Sequence, residues 1–181
     1  MTNTMSISTP TIQPDPTLGP IVRKAVADRT FANLATASAT GRAHVAGVLY
    51  ALAEGSLWIS TLRSSRKARN VAENPAVAVT VPVRRLPVGP PATVAVQGRG
   101  TIVPLDDPRL RRLAASGALK AVTSHGELDL DGGCFIEVQL PARVPAYGLG
   151  MPLLRFLRDP LAAGRVALVE WDEGQILEHT G

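Results

Sequence analysis

Thr61-Leu62-Arg63-Ser64-Ser65-Arg66-Lys67-Ala68-Arg69-Asn70-Val71-Ala72-Glu73-Asn74-Pro75 places cations where a helix ordinarily avoids them. Ser64 or Ser65 is a natural N-cap, and Ala68, Val71 and Ala72 form the apolar stripe of a short helix. Asn74-Pro75 ends it, because proline disfavours helical backbone in the residue before it. Arg66 and Lys67 therefore fall in the first turn, beside the positive end of the helix dipole. Each costs roughly 0.3–1 kcal/mol there unless an anion sits nearby. Free backbone N–H groups, a serine hydroxyl and two cations together make a phosphate cradle. Without an anion, the same residues make a solvated basic helix end.

Strands are expected on both sides of this helix. Upstream, residues 31–37 are short and apolar, Ala39-Thr40-Gly41 reads as a turn, and 43–53 is a long extended run closed by Glu54-Gly55. Residues 56–61 alternate and are expected to pair antiparallel with that run. Downstream, 76–81 is β-rich, and 93–103 alternates with Val94, Val96 and Ile102 on one face. Pro82-Val-Arg-Arg-Leu-Pro-Val-Gly-Pro-Pro91 is too rich in proline for a central strand and reads as a loop, a candidate lid or interface segment.

Apolar spacing predicts helices over 18–28 and 106–119, a strand over 134–147, and a short helix around Leu153, Leu154, Phe156 and Leu157 that Asp159-Pro160 ends. Residues 1–16 are rich in Thr, Ser and Pro and read as a flexible tail, leaving 17–181 as one domain with a C-terminal helical extension. Hairpin-linked strands with few helices point to a mainly β, antiparallel barrel.

Composition narrows the function. The 181 residues are 45% hydrophobic and 19% charged, which suits a globular domain, and the 4% aromatic content leaves the core to Val, Leu, Ile and Ala. A net charge of +4 permits nucleic acid, anionic lipid or a phosphorylated small molecule as partner. Nucleic acid is disfavoured, since no aromatic–basic interleaving or known motif appears. Cys134 is the single cysteine, so no internal disulfide can form and a reducing cytoplasm is expected. No apolar run approaches the ~20 residues of a membrane helix. His44, His125 and His179 share no metal-type spacing, so no metal site is expected. His125-Gly-Glu127-Leu-Asp129 is a weak candidate for a base, and Gly148-Leu-Gly150 reads as a turn rather than a dinucleotide loop. Trp58 is expected in the core.

Between residues 30 and 103 the chain resembles the split-barrel flavoprotein superfamily whose best-known branch is pyridoxamine 5′-phosphate oxidase. The resemblance rests on Gly41-Arg42 opening a strand, Val48-Leu49 within it, Thr61-x-x-x-Ser65-Arg66-Lys67, Asn74-Pro75, and a later strand with Gln97-Gly98. It implies an antiparallel FMN-binding split barrel. It also implies Arg66 and Lys67 as phosphate ligands, and Thr61 and Ser65 as hydrogen-bond partners. Ala46, Gly47 and Val48 would line the flavin groove, which a second subunit of a homodimer completes.

The oxidase carries an arginine and a lysine where Ala46 and Ala51 stand, and a glutamine where this chain has Thr93. Its C-terminal arginine–histidine signature is missing, so vitamin B6 synthesis is not expected. Gly41-Arg42-x-His44-Val45, with Ser65-x-Lys67-x-x-Asn70, is similar to the deazaflavin branch, which uses coenzyme F-420 and adds Asn70 to the candidate site. The resemblance thus implies an FMN- or F-420-dependent oxidoreductase acting on a small organic substrate. The alternative is a split barrel that holds flavin or haem without catalysis. Substrate choice would fall to the loops at 82–91 and 120–132.

Overall fold

The computed structural model describes residues 13–84 and 92–171. Helix α1 (Leu18–Ala27) leads into strands β1 (Phe31–Ala37), β2 (Ala43–Leu49), β3 (Ala51–Ala53) and β4 (Ser56–Leu62). Helix α2 (Arg66–Glu73) is followed by β5 (Ala76–Val83) and the long β6 (Ala92–Pro104). Helix α3 (Pro108–Ala115), β7 (Gly133–Gln139), β8 (Arg143–Tyr147), helix α4 (Leu153–Arg158) and β9 (Gly164–Leu168) complete the chain. Every ladder between these strands is antiparallel, in the order β2-β1-β5-β6-β7-β4-β3, with β8 and β9 added beside β6. This is the split barrel with flanking helices that the strand pattern and the resemblance implied.

Two corners curl the sheet. β6 pairs with β5 through residues 92–99 and with β7 from residue 100 onward. The bend falls at Gly98 and Gly100, where side chains would meet Gln139 O at 2.9 Å and Val71 at 3.1 Å. At the other corner the run 43–53, expected as one strand, divides at Tyr50. Residues 43–49 pair with β1, and residues 51–53 pair with β4. Tyr50 N–H donates to Thr30 O (2.8 Å), and its buried hydroxyl donates to Val26 O (2.7 Å), so the pivot is fastened to α1. Burial pushes its phenol pKa up.

Alternation decides which faces are buried. Leu34, Val48, Ile59, Val79, Val96 and Ile136 fill the barrel interior. A second apolar layer lies outside β4 and β7, where Trp58, Phe135, Ala51 and Ala53 meet Leu110, Leu113 and Val122. Trp58 is fully buried and donates from Nε1 to Ala53 O (3.2 Å). The Arg109 guanidinium lies 5.1 Å from its ring centre and bonds Glu54 (2.6 Å) and Glu137 (2.8 Å), which clips α3 to this layer.

Several boundaries moved. The helix expected over 106–119 shrinks to α3, capped by Asp107, whose carboxylate accepts from Arg109 N and Leu110 N. Gly117, at φ +82°, stops it. The strand expected over 134–147 becomes β7 and β8. Pro82 and Val83, expected in the loop, extend β5 opposite Thr93 and Ala92, while residues 85–91 lie outside the described residues. Of the tail read as flexible, residues 1–12 lie outside the described residues. Asp15 is tied down: its N–H donates to Val166 O (2.8 Å), and its carboxylate meets Arg165 (2.8 Å). No described helix is long and apolar enough to cross a membrane.

Candidate functional site

The split follows from the Tyr50 corner. Were the β3–β4 ladder continued past Ala51↔Trp58, Val48 would stand opposite Thr61. Instead β2 leaves to pair with β1, Val48 facing Ala32 and Ala46 facing Leu34. One lip of the split is thus the inward face of β2, with buried Val48, half-buried Ala46 and half-buried His44. The other lip is the end of β4, with buried Thr61. β2 still touches β4, and α2 packs on β1, β2 and β6, closing the barrel at this end.

At the start of α2, Ser65 is the N-cap. Its hydroxyl accepts from Ala68 N–H (3.3 Å) and shares a hydrogen bond with Thr61 Oγ1 (3.1 Å). The backbone N–H groups of Arg66 and Lys67 have no acceptor within the helix, as for any first turn. Arg66 is exposed and Lys67 half-buried. Among the described residues, none of Arg63, Arg66, Lys67 or Arg69 forms an ion pair with a carboxylate. A positive dipole end with three cations in the first helical turn and a fourth just before it therefore stands unneutralised, which is an anion-binding arrangement. Beneath it, Cys134 pairs with Thr61 across β4 and β7. Burial raises the Cys134 thiol pKa, and the charges of Arg63 and Lys67 oppose that rise.

Two candidate residues make contacts within the chain that the motif does not indicate. Gly47 faces outward, and a Cβ on it would lie 3.0 Å from the Phe31 ring. The phenyl group comes from the residue two pairs along the ladder and lies over Gly47. Asn70 is buried, and its amide donates to Thr36 Oγ1 (3.0 Å), so its visible contact ties α2 to β1. Thr36 was not among the candidates. No local pattern marks it, since its importance comes from a helix 34 positions further along the chain.

The remaining motifs have ordinary roles. Glu127 accepts from His125 N–H (2.8 Å) in an exposed turn. Its pKa is lowered by that backbone bond and by His125, although burial pushes the other way. Gly148 and Gly150 are turn residues at φ +74° and +65°. His179 lies outside the described residues. No group of three or more metal-ligating side chains occurs among the described residues.

Comparison with known proteins agrees with this fold. The Pyridoxamine 5′-phosphate oxidase family model matches residues 18–132. Among solved structures, HutZ, a haem storage protein from Vibrio cholerae, is similar at 19% identity over 74% of this chain and 96% of that one (TM-score 0.64). A haem-binding protein from Mycobacterium smegmatis matches at 21% identity over 74% of this chain and 55% of that one (TM-score 0.62). A FAD-binding protein from Mesorhizobium loti matches at 21% identity over 66% of this chain and 84% of that one (TM-score 0.54). At such identities these likenesses speak for the fold alone. No curated protein sequence matches the chain. With a family model covering more than half of its length, the chain belongs to the pyridoxamine 5′-phosphate oxidase-like split-barrel superfamily.

Proposed function

We propose that the protein holds a phosphate-bearing flavin-type cofactor, FMN or alternatively the deazaflavin F-420, at the mouth of the split. It would act as an oxidoreductase that passes a hydride to or from a small organic substrate other than pyridoxamine phosphate. The observation that supports this reading is the set of cations without a carboxylate partner at the start of α2, a helix capped by Ser65 that packs on β1, β2 and β6. Arg66 and Lys67 bind the phosphate through their charges and backbone N–H groups, with the hydroxyls of Ser65 and Thr61 at hand. Ala46 and Val48 form the apolar lip, and Asn70 holds α2 in place from beneath. The cofactor supplies the hydride chemistry. The protein orients it and excludes water.

A second subunit completes the groove in this reading. Phe31, Val45 and Leu49 are 46%, 63% and 57% exposed on the outer face of β1 and β2, a face that no described element covers. Apolar side chains so grouped favour a protein partner.

The second reading is a barrel that stores or carries a flavin or haem without turnover. The haem-binding proteins among its structural neighbours favour it. Titration of purified protein with FMN, F-420 and haem, followed by absorbance and fluorescence, separates the two readings. The expected outcome is flavin or deazaflavin binding that the double change Arg66→Ala plus Lys67→Ala weakens more than about tenfold, the scale of losing charge-assisted hydrogen bonds. Unchanged affinity in the double variant would remove the cradle from the argument. Haem binding with no affinity for either flavin would establish the second reading.

A further inference from the structure

We infer that His44 is an anion-binding residue on the β2 lip of the same split, facing the group that Arg66 and Lys67 hold from α2. This rests on the reading that a phosphate occupies the mouth. His44 is half-buried and shares the inward face of β2 with Ala46 and Val48. It stands directly opposite Thr36 on β1, and Thr36 Oγ1 accepts the 3.0 Å bond from Asn70. Asn70 lies one helical turn beyond Arg66 and Lys67, and α2 packs against β2 as well as β1. The imidazole therefore sits beside the helix that bears the cradle.

The charges around it are lopsided. β1 and β4 contribute no ionisable group, and His44 is the only one in β2, with Arg42 just before that strand. α2 contributes Arg66, Lys67 and Arg69 against a single carboxylate, Glu73, at its far end. An anion held beside the imidazole favours its protonated form. Binding of the anion then takes up a proton, so affinity falls as pH rises through the histidine range. The phosphate monoester of FMN loses its own second proton near pH 6, which acts in the opposite direction. The informative quantity is therefore the difference between wild type and a His44 variant.

FMN affinity is measured by flavin fluorescence from pH 5.5 to 8.5 for wild type, His44→Gln, His44→Arg and the Arg66→Ala, Lys67→Ala double variant, with thermal melts to verify folding. The ratio of His44→Gln to wild-type Kd should be largest at low pH and shrink about threefold or more by pH 8. His44→Arg should bind more tightly than His44→Gln at pH 8. At pH 7 the imidazole proton resonance missing from the His44→Gln spectrum should shift when FMN is added to wild type. Parallel pH profiles for wild type and His44→Gln, with FMN still lost in the double variant, overturn the His44 assignment and leave the cradle standing. A protein that binds neither FMN nor F-420 at any pH, or a double variant that binds FMN as well as wild type, overturns both.

Discussion

The side-chain amide of Asn70 donates to Thr36 Oγ1 across 3.0 Å, with both residues buried. This bond fixes α2 to β1. The cradle on α2 is therefore only as well placed as this contact, which lies beneath the surface that would meet a ligand.

Replacing Asn70 with Ala removes one partner and leaves the Thr36 hydroxyl buried without its donor. The expected cost is about 1–3 kcal/mol, read as a lower midpoint in urea denaturation at unchanged slope. Restoring an apolar pair with Thr36→Val in the same chain should recover part of that loss. A single variant as stable as wild type would mean that other contacts position α2.

Gly19 lies where α1 crosses β9, and a Cβ there would collide with the carbonyl oxygen of Leu168. Backbone cannot swing aside as a flexible side chain can, so Gly19→Ala must lever α1 off the sheet. Buried Leu18 and Val22 would move with it, at a cost above about 2 kcal/mol. Thermal melting tests this directly. A melting point within a degree of wild type would contradict the close approach.

Asp15 fastens the entry to α1. Bonds from the Thr17 hydroxyl and backbone N–H, and then the Arg165 guanidinium, hold its carboxyl pKa below the usual value of 3.8. A depressed carboxylate pKa stabilises above the unfolded value and loses that contribution as pH falls through the folded one. Hydrogen exchange of the Asp15 and Leu18 amides should therefore stay slow at pH 5 and quicken below about pH 3.8, the usual aspartate range. In Asp15→Asn the acid step should vanish. Persistence of the step in that variant would assign it to another carboxylate.

The outer face of β1 and β2 supplies the test of assembly. Val45→Glu puts a charge at its most exposed apolar position, opposite Ala35, without touching the barrel interior. Sedimentation velocity should show a dimer for wild type and a shift toward monomer for the variant, with FMN affinity falling in step. A wild-type monomer at high micromolar concentration, or a Val45→Glu dimer, would send the partner surface elsewhere.

Much of this molecule could be read along the chain. Ser65 as N-cap, Arg66 and Lys67 in the first turn, and termination by Asn74-Pro75 all follow from interactions within a few residues. The same is true of the alternation in β6 and of Trp58 in the core. The missed features are long-range. Tyr50 carries no break signal, because period-two alternation continues through it: Val48, Tyr50 and Leu52 face the interior on both sides of the corner.

Sequence alone determined most of the strands and helices and where the cations gather, though not β9 or the breaks at Tyr50 and between β7 and β8, because torsional preference, capping and alternation act locally. Tertiary structure decided that β2 abandons β4 for β1 and so opens the split. It also committed Asn70 to Thr36 and laid Phe31 over Gly47. An alternating strand presents the same two faces to any partner, so the choice among partners is made only when the whole sheet closes around its core.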